Sequence, residues 1–286
     1  MGKMQIKTIQ YDAIEQARYH EKPLWRVGRE KIFLLFICAA AILYFLLIVL
    51  PIFSVLSFPD MKGIKYVLAN KEVLLAVKLS LSTSLVTVFF IFILGTPVAF
   101  FLKSDRKNVL ARMFEIVVTI PTVLPPAVAG IALLLAFGRN GLIGKLLADM
   151  NIDIGFTPAA VILAQFFVSS GFYIQVLKAS VDEISPEIFE ASYICGAGRV
   201  ETFVKIIVPM LKKPILAGAI LSWTRSVGEF GATIMFAGNI LGKTRTLPLQ
   251  IYTLIQTDIS LSAAVSVILL LVSFIMLFVI KIWIKE

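Results

Sequence analysis

The chain alternates long apolar stretches with short charged ones. Six apolar segments stand out: Ile32 to Phe53, Leu74 to Leu102, Ile116 to Phe137, Ala159 to Leu177, Pro214 to Ala237 and Ser262 to Ile280. Each is close to the ~20 residues an α-helix needs to cross the hydrocarbon of a bilayer. With no water there, backbone N–H and C=O groups must pair within the segment, and a helix pairs them at every residue. The pattern predicts an all-α membrane protein with six transmembrane helices. The first segment is too long for the apolar run of a signal peptide, and only Pro51-Ile-Phe-Ser follows it, so it is expected to stay as a helix. Pro97 interrupts the second segment, and Pro121, Pro125, Pro126 and Gly130 interrupt the third. Two readings stand: kinks whose freed carbonyls neighbours satisfy, or a bent helix lining a pathway.

Charge adds orientation. Of 286 residues 59% are hydrophobic and 16% charged, against about a quarter charged in soluble domains. A net charge of +9 would suit nucleic acid, but the charges sit in the connections between apolar runs. Residues 1–31, 103–115, 179–213 and the tail from 281 hold 17 Lys and Arg, whereas residues 54–73, 138–158 and 238–261 hold 7. Positive residues stay inside, so both termini are expected in the cytoplasm of a cell-membrane protein. Residues 1–31 then form a cytoplasmic flank and 32–286 one six-helix domain. The flank mixes charges with Ile6, Ile9, Tyr11, Ile14 and Tyr19 and reads as a partly helical arm at the membrane surface.

Chemistry-bearing constellations are scarce. Cys38 and Cys195 form no C-x-x-C pair, and His20 is far from other ligand types, so neither a disulfide framework nor a metal site is indicated. No Ser–His or paired-carboxylate set shares a depth, so the chain is not expected to be an enzyme. A Walker phosphate loop is absent, and the glycines of Gly238-to-Lys243 are misplaced for one, so the chain itself is expected to bind no nucleotide. Arg225 lies about 16 Å past Pro214 along a helix, with Glu229 one turn later. Ionisable groups at that depth face a bundle interior or an aqueous path. The pair either neutralises itself and fixes packing, or Arg225 lends positive potential to an anion's path while Glu229 holds it in place. Lys78 and Lys178, near opposite ends of their spans, are expected to snorkel to the interface as anchors.

The most informative stretch is Ser185-Pro-Glu-Ile-Phe-Glu-Ala-Ser-Tyr-Ile-Cys-Gly-Ala-Gly198. Ser185 suits an N-cap, Pro186 the first helical position and Glu187 the first turn. Ile184 and Phe189 are placed for a hydrophobic staple. Ile188, Ala191, Ser192 and Cys195 share one predicted face, and Gly196 and Gly198 allow a sharp turn. A second helix, with Glu201 and Lys205 at i, i+4, leads to Pro209. Such a helical pair either packs beneath its own bundle or docks on a partner.

Glu190-Ala191-Ser192, Gly196, Ile206, Val208 and Pro209 follow the spacing E-A-A, three residues, G, nine residues, I-x-L-P, with Ser192 for the second alanine and Val208 for leucine. This resembles the coupling loop of permeases in binding-protein-dependent ABC importers. The resemblance implies the type I permease fold, with 185–209 docking on an ATPase through Glu190, Ala191, Ser192, Gly196, Ile206 and Pro209. Leu124-Pro125-Pro126-Ala-Val-Ala-Gly130 and Phe137 to Gly144 are similar to the third-span region of molybdate and sulfate permeases. Gly228-Glu-Phe-Gly-Ala-Thr233, Ala237-Gly-Asn239 and Thr244 to Tyr252 look closer to the molybdate/tungstate branch, because sulfate relatives tend to carry tyrosine and serine where Phe230 and Ala232 stand. What the family implies is a homodimer, two ATP-binding cassette subunits carrying ATP and Mg, and an extracytoplasmic oxyanion-binding protein. The implied cargo is molybdate or tungstate, with sulfate or thiosulfate as the alternative. Arg225, Glu229, Thr233, Pro125 and Pro126 are the pathway candidates. A secondary anion transporter fits less well, since inverted repeats are not evident.

Overall fold

A computed structural model describes residues 24–103 and 109–285. The amphipathic arm, with His20, lies outside the described residues up to residue 23. From Leu24 the chain is already helical, so the boundary expected at 31 falls inside a helix. Contacts divide the chain into two units, Met1–Ser57 and Phe58–Glu286. The first contains α1 (Leu24–Ser57), whose apolar side chains from Ile32 onward are almost all exposed, as befits a helix solvated by lipid.

All the regular structure among the described residues of the second unit is helical. It runs α2 (Met61–Ala69), α3 (Lys71–Lys103), α4 (Val109–Val123), α5 (Pro126–Phe137), α6 (Gly144–Asp149), α7 (Pro158–Asp182), α8 (Pro186–Ile194), α9 (Arg199–Thr202), a π-helical turn (Phe203–Ile207), α10 (Val208–Met210), α11 (Lys212–Val227), α12 (Gly231–Phe236), α13 (Leu247–Ile255) and α14 (Ile259–Lys285). Polar side chains start several of these. Asp60 accepts from Gly63 N at 2.7 Å, and Asn70 accepts from Glu72 N at 2.8 Å, each satisfying an amide that has no partner within its helix.

Among the described residues four helices are long and apolar enough to cross a membrane: Ile32–Ser57, Lys71–Lys103, Pro158–Asp182 and Ile259–Val279, with the pair α4–α5 a fifth if taken as one span. Two of the six expected segments are therefore built differently. The third is bent by 117° between α4 and α5. Pro125 (φ −54°, ψ 133°) is extended because the proline after it disfavours a helical conformation, and Pro126 opens the new helix at a position where no amide is needed. The fifth is α11 and α12, broken at Gly228-Glu229-Phe230.

The bundle centre is α3, α7 and α11. Tyr173 is fully buried there, and its hydroxyl lies 2.6 Å from Thr96 Oγ1. A Cβ on Gly95 of α3 would fall 2.9 Å from its ring, and one on Gly218 of α11 would fall 3.0 Å from it. Without those side chains the three backbones close on one ring, the small-residue packing that membrane helices use. The buried stripe of α3 opens on Val73 and Ala76, continues in a polar half (Ser80, Thr83, Ser84, Thr87) and ends in an apolar one (Ile91, Gly95, Ala99, Leu102). In the polar half Thr87 bonds Gln165 Oε1 (3.1 Å), Trp223 Nε1 donates to Ser84 Oγ (2.9 Å), and Ser169 and Ser226 hydroxyls meet at 2.8 Å.

Residues 238–261 depart from a plain outer connection. Ser80 Oγ accepts from Leu247 N at 2.6 Å, and Leu247, Pro248, Leu249 and Gln250 of α13 are buried. Thr244 and Thr246 before them are buried too. The segment tucks back into the bundle through the Ser80 bond and an apolar cluster of Leu247 and Leu254 with Val73, Ala76 and Val265.

Candidate functional site

Two places gather the residues singled out by sequence. The first is the loop 185–210. Ser185 Oγ accepts from Glu187 N at 3.3 Å, with Pro186 at the first helical position. Ile184 and Phe189 join one apolar cluster with Leu102, Leu177, Ile207 and Leu211, so the expected staple is rooted in the bundle core. Gly196 has φ +85°, a left-handed conformation strained for any residue with a Cβ. Its N–H donates to Tyr193 O (3.0 Å), and Ala197 N donates to Ser192 O (3.0 Å), which closes the helix end. Gly198, by contrast, has an ordinary φ of −73° and starts α9.

The inward face of α8 is not the one the spacing predicts. Ile188, Phe189 and Ser192 turn inward, whereas Ala191 and Cys195 are exposed. Anchoring through the bulky Phe189 rotates the helix by about one position. Ser192, one of the two residues that depart from the signature, is 4% exposed, and its hydroxyl lies 2.9 Å from Thr202 Oγ1. It also donates to Phe189 O (2.7 Å), so a hydroxyl pair joins the two arms of the loop. Ile206 is half-buried and Pro209 exposed; the fully buried anchor of this arm is their neighbour Ile207. Glu201 and Lys205 pair on the surface at 2.6 Å, which holds the carboxyl below and the ammonium above their ordinary ranges. Around the turn, Glu190, Ala191, Tyr193, Ile194, Val200 and Val204 are exposed, Ile194 at 86% and Val200 at 78%.

The second place is where two helix breaks meet. A Cβ on Gly231 would fall 2.6 Å from Pro126 Cβ, so the break before α12 lies directly against the start of α5. Arg225 and Glu229 pair as expected, Nη1 to Oε2 at 2.6 Å, but across a helix end rather than along one helix. This is an ionic approach; the true hydrogen bond of Glu229 is from Ala232 N to Oε1 at 2.8 Å, which caps α12. Glu229 is 1% exposed and Arg225 29%. Pro125 and Pro126 are exposed and Arg225 half-buried, whereas Glu229 and Thr233 are buried. The structure thus brings the five pathway candidates to one junction, with only three reaching the chain's surface. An open cavity of about 580 Å³ runs along α4 from Arg112, Glu115 and Thr119 to Val123 and Leu124, beside this junction.

Lys178 corrects the sequence reading. Instead of snorkelling alone, its Nζ lies 3.2 Å from Glu115 and 3.0 Å from Asp182, tying α4 to the end of α7. Lys78 is exposed. Among the described residues no cluster of His, Cys, Asp or Glu could hold a metal.

With this geometry in view, the chain compares clearly with known proteins. Residues 72–285 match the family described as binding-protein-dependent transport system inner membrane component. The chain belongs to that family. Over 257 residues, 90% of each chain, the permease is 49% identical to the probable transport system permease protein NifC of Clostridium pasteurianum. It is 39% identical to the molybdenum transport system permease protein ModB of Mycobacterium tuberculosis over 69% of this chain and 75% of that one. With the sulfate transport system permease protein CysT of Escherichia coli it shares 33% identity over 86% and 87%. Its fold is that of an ABC importer permease: a chain of the bacterial ABC transporter involved in alginate import superposes with a TM-score of 0.72 at 15% identity, covering 92% of the permease and 98% of that chain. The permease is a multi-pass membrane protein.

Spacing could have revealed more than composition did. Ser80, Thr83, Ser84 and Thr87 recur at i, i+3, i+4 and i+7, a hydroxyl face readable from sequence. Lys178 and Asp182 likewise stand at i, i+4, whereas the Ser192–Thr202 pair and the Lys178–Glu115 bridge left no such periodic trace.

Proposed function

We propose that this permease is the membrane-spanning subunit of an ATP-driven ABC importer that carries an oxyanion, molybdate or tungstate, into the cytoplasm. Two copies form the pathway, two ATP-binding cassette subunits bind ATP and Mg on the cytoplasmic side, and an extracytoplasmic binding protein delivers the ion. The observation that carries this reading is the loop 185–210. Its inner face is anchored in the bundle core, while Ile194, Val200, Tyr193 and Val204 leave an apolar rim outside. An apolar surface held on rigid helices suits a protein partner. Glu190, Ala191, Gly196 and the exposed rim are the contacts to the ATPase; Ser192 and Ile206 support them from within, and Pro209 starts the return to the bundle. The junction of Pro125, Pro126 and Arg225 lies on the pathway, with Glu229 and Thr233 behind it. Both termini lie in the cytoplasm, in keeping with the bias of Lys and Arg.

Kinship to molybdenum permeases supports the cargo, and the 33% identity to a sulfate permease keeps sulfate as the second reading. The test is ATP hydrolysis and uptake by the reconstituted complex, titrated with binding protein carrying molybdate, tungstate or sulfate. Stimulation by sulfate alone overturns the cargo; uptake without ATP overturns the mechanism. Single cysteines at Lys62, Asp149 and Lys243 in a cysteine-free variant should react with an impermeant reagent from outside the cell, and reaction only after permeabilisation reverses the topology.

A further inference from the structure

The last turn of α3 holds both arms of the loop. Lys103 Nζ donates to Ile184 O at 2.9 Å, the carbonyl just before the N-cap of α8, and sits 5.0 Å from the centre of the Phe189 ring. Three residues earlier on the same face, Phe100 packs edge-on against Phe203 of the π-helical turn, centroids 4.8 Å apart. Only Glu183, Ile184 and Ser185 separate α7 from α8, so α8 could swing on that connector were nothing else holding its start.

We propose that Lys103 is a positioning residue for coupling: it fastens the start of α8 to the end of α3, so that a load on the exposed rim of the loop is passed into the α3 stripe. This rests on the reading of 185–210 as the coupling loop. An ammonium held between a carbonyl and an aromatic face has directional partners, unlike a lysine that merely marks the inner end of a span. Lys103 meets the arm that begins α8, and Phe100 meets the other arm. Displacement of either arm is therefore felt at one turn of one helix, the kind of physical continuity that coupling between distant sites requires.

The test uses the full-length permease in lipid nanodiscs, alone and with its ATPase. Lys103→Met keeps the aliphatic stem and removes the charge and the donors; Lys103→Arg keeps both. In the permease alone, backbone amides of residues 188–195 should exchange with deuterium about tenfold faster in Lys103→Met, with α7 unchanged and Lys103→Arg near wild type. In the complex, Lys103→Met should lower uptake about tenfold while the ATPase subunits still co-purify and basal hydrolysis stays within about twofold, so more ATP is spent per ion carried. Unchanged exchange in Lys103→Met overturns the proposal, as does an arginine variant as defective as the methionine one. Loss of ATPase binding also overturns it, by making Lys103 part of the docking contact. Should the wild-type complex show no ATP-driven uptake, the coupling reading fails, and the fastening of α8 is then decided by the exchange data alone.

Discussion

Beyond Val73 and Ala76, the polar and apolar halves of the α3 stripe face the same neighbours, α7 and α11, but with opposite chemistry. Toward the loop, Ile91, Ala99 and Leu102 interlock with Leu177, Val181, Ile207 and Leu211 in one apolar cluster. Away from it, Ser80, Thr83, Ser84 and Thr87 meet Gln165, Trp223 and α13 through hydrogen bonds. Interlocked side chains fix one arrangement, because any shift opens voids. Hydroxyls in a membrane helix can satisfy themselves on their own carbonyls, as Thr83 does on Leu79 O at 2.8 Å. Their bonds between helices average about 0.6 kcal/mol and can be exchanged cheaply. One half of the bundle is thus built to move as a body, the other to rearrange within itself.

The sharpest way to break this contrast is at the buried charge beside the polar half. Glu229→Met strands Arg225 and uncaps α12, and should cost about 3–5 kcal/mol in detergent unfolding. Adding Arg225→Met should cost less than the sum of the singles; strictly additive losses would sink the pairing. If the double variant recovers folding but not oxyanion uptake, Arg225 serves the pathway, and full recovery of uptake assigns it to packing.

At the loop end, Gly196→Val forces a β-branched residue into φ +85°, a local strain of about 1–2 kcal/mol. Membrane insertion should be normal and uptake at least about tenfold lower. Normal uptake with normal ATPase stimulation would remove the loop from the mechanism.

A smaller effect compares two hydroxyl pairs. Ser192→Ala and Thr202→Val should couple by about 0.5–1.5 kcal/mol in a double-mutant cycle, because their pair sits inside a rigid frame. The Ser169–Ser226 pair should couple by about 0.6 kcal/mol or less. Equal coupling in both would erase the distinction between the halves.

The smallest effect concerns the exposed pair Glu201 and Lys205. The lowered carboxyl contributes stability that is present above its ordinary value of 4.5 and lost as pH falls through the lowered one. The raised ammonium contributes stability that is present below 10.5 and lost as pH rises through the raised value. Stability should therefore be flat across neutral pH, and Glu201→Gln should leave the melting midpoint unmoved. A pronounced titration near neutrality would point to a different group.

Long apolar runs made four spans legible, because in a bilayer length and hydropathy nearly dictate helix. The breaks were less so. Pro125-Pro126 announced an interruption, yet a 117° bend depends on α12 packing against the new helix, which no local signal encodes. The loop was readable down to its cap, staple and turn, since each is set by residues within a few positions. Its inward face was not, because Phe189 is drawn into a cluster formed by residues far along the chain. The buried α13 was hidden for the same reason: Leu247 is held by Ser80, 167 residues away.

Tyr173 lies at the border between the two halves, its ring clasped by Gly95 and Gly218. Sliding α3 or α11 by one turn would bring Ile91 or Ala99, or Pro214 or Ser222, to a place too tight for a Cβ. Axial travel by a turn is blocked there. The three central helices are therefore pinned to one another at a single ring, which fixes their relative height where they cross.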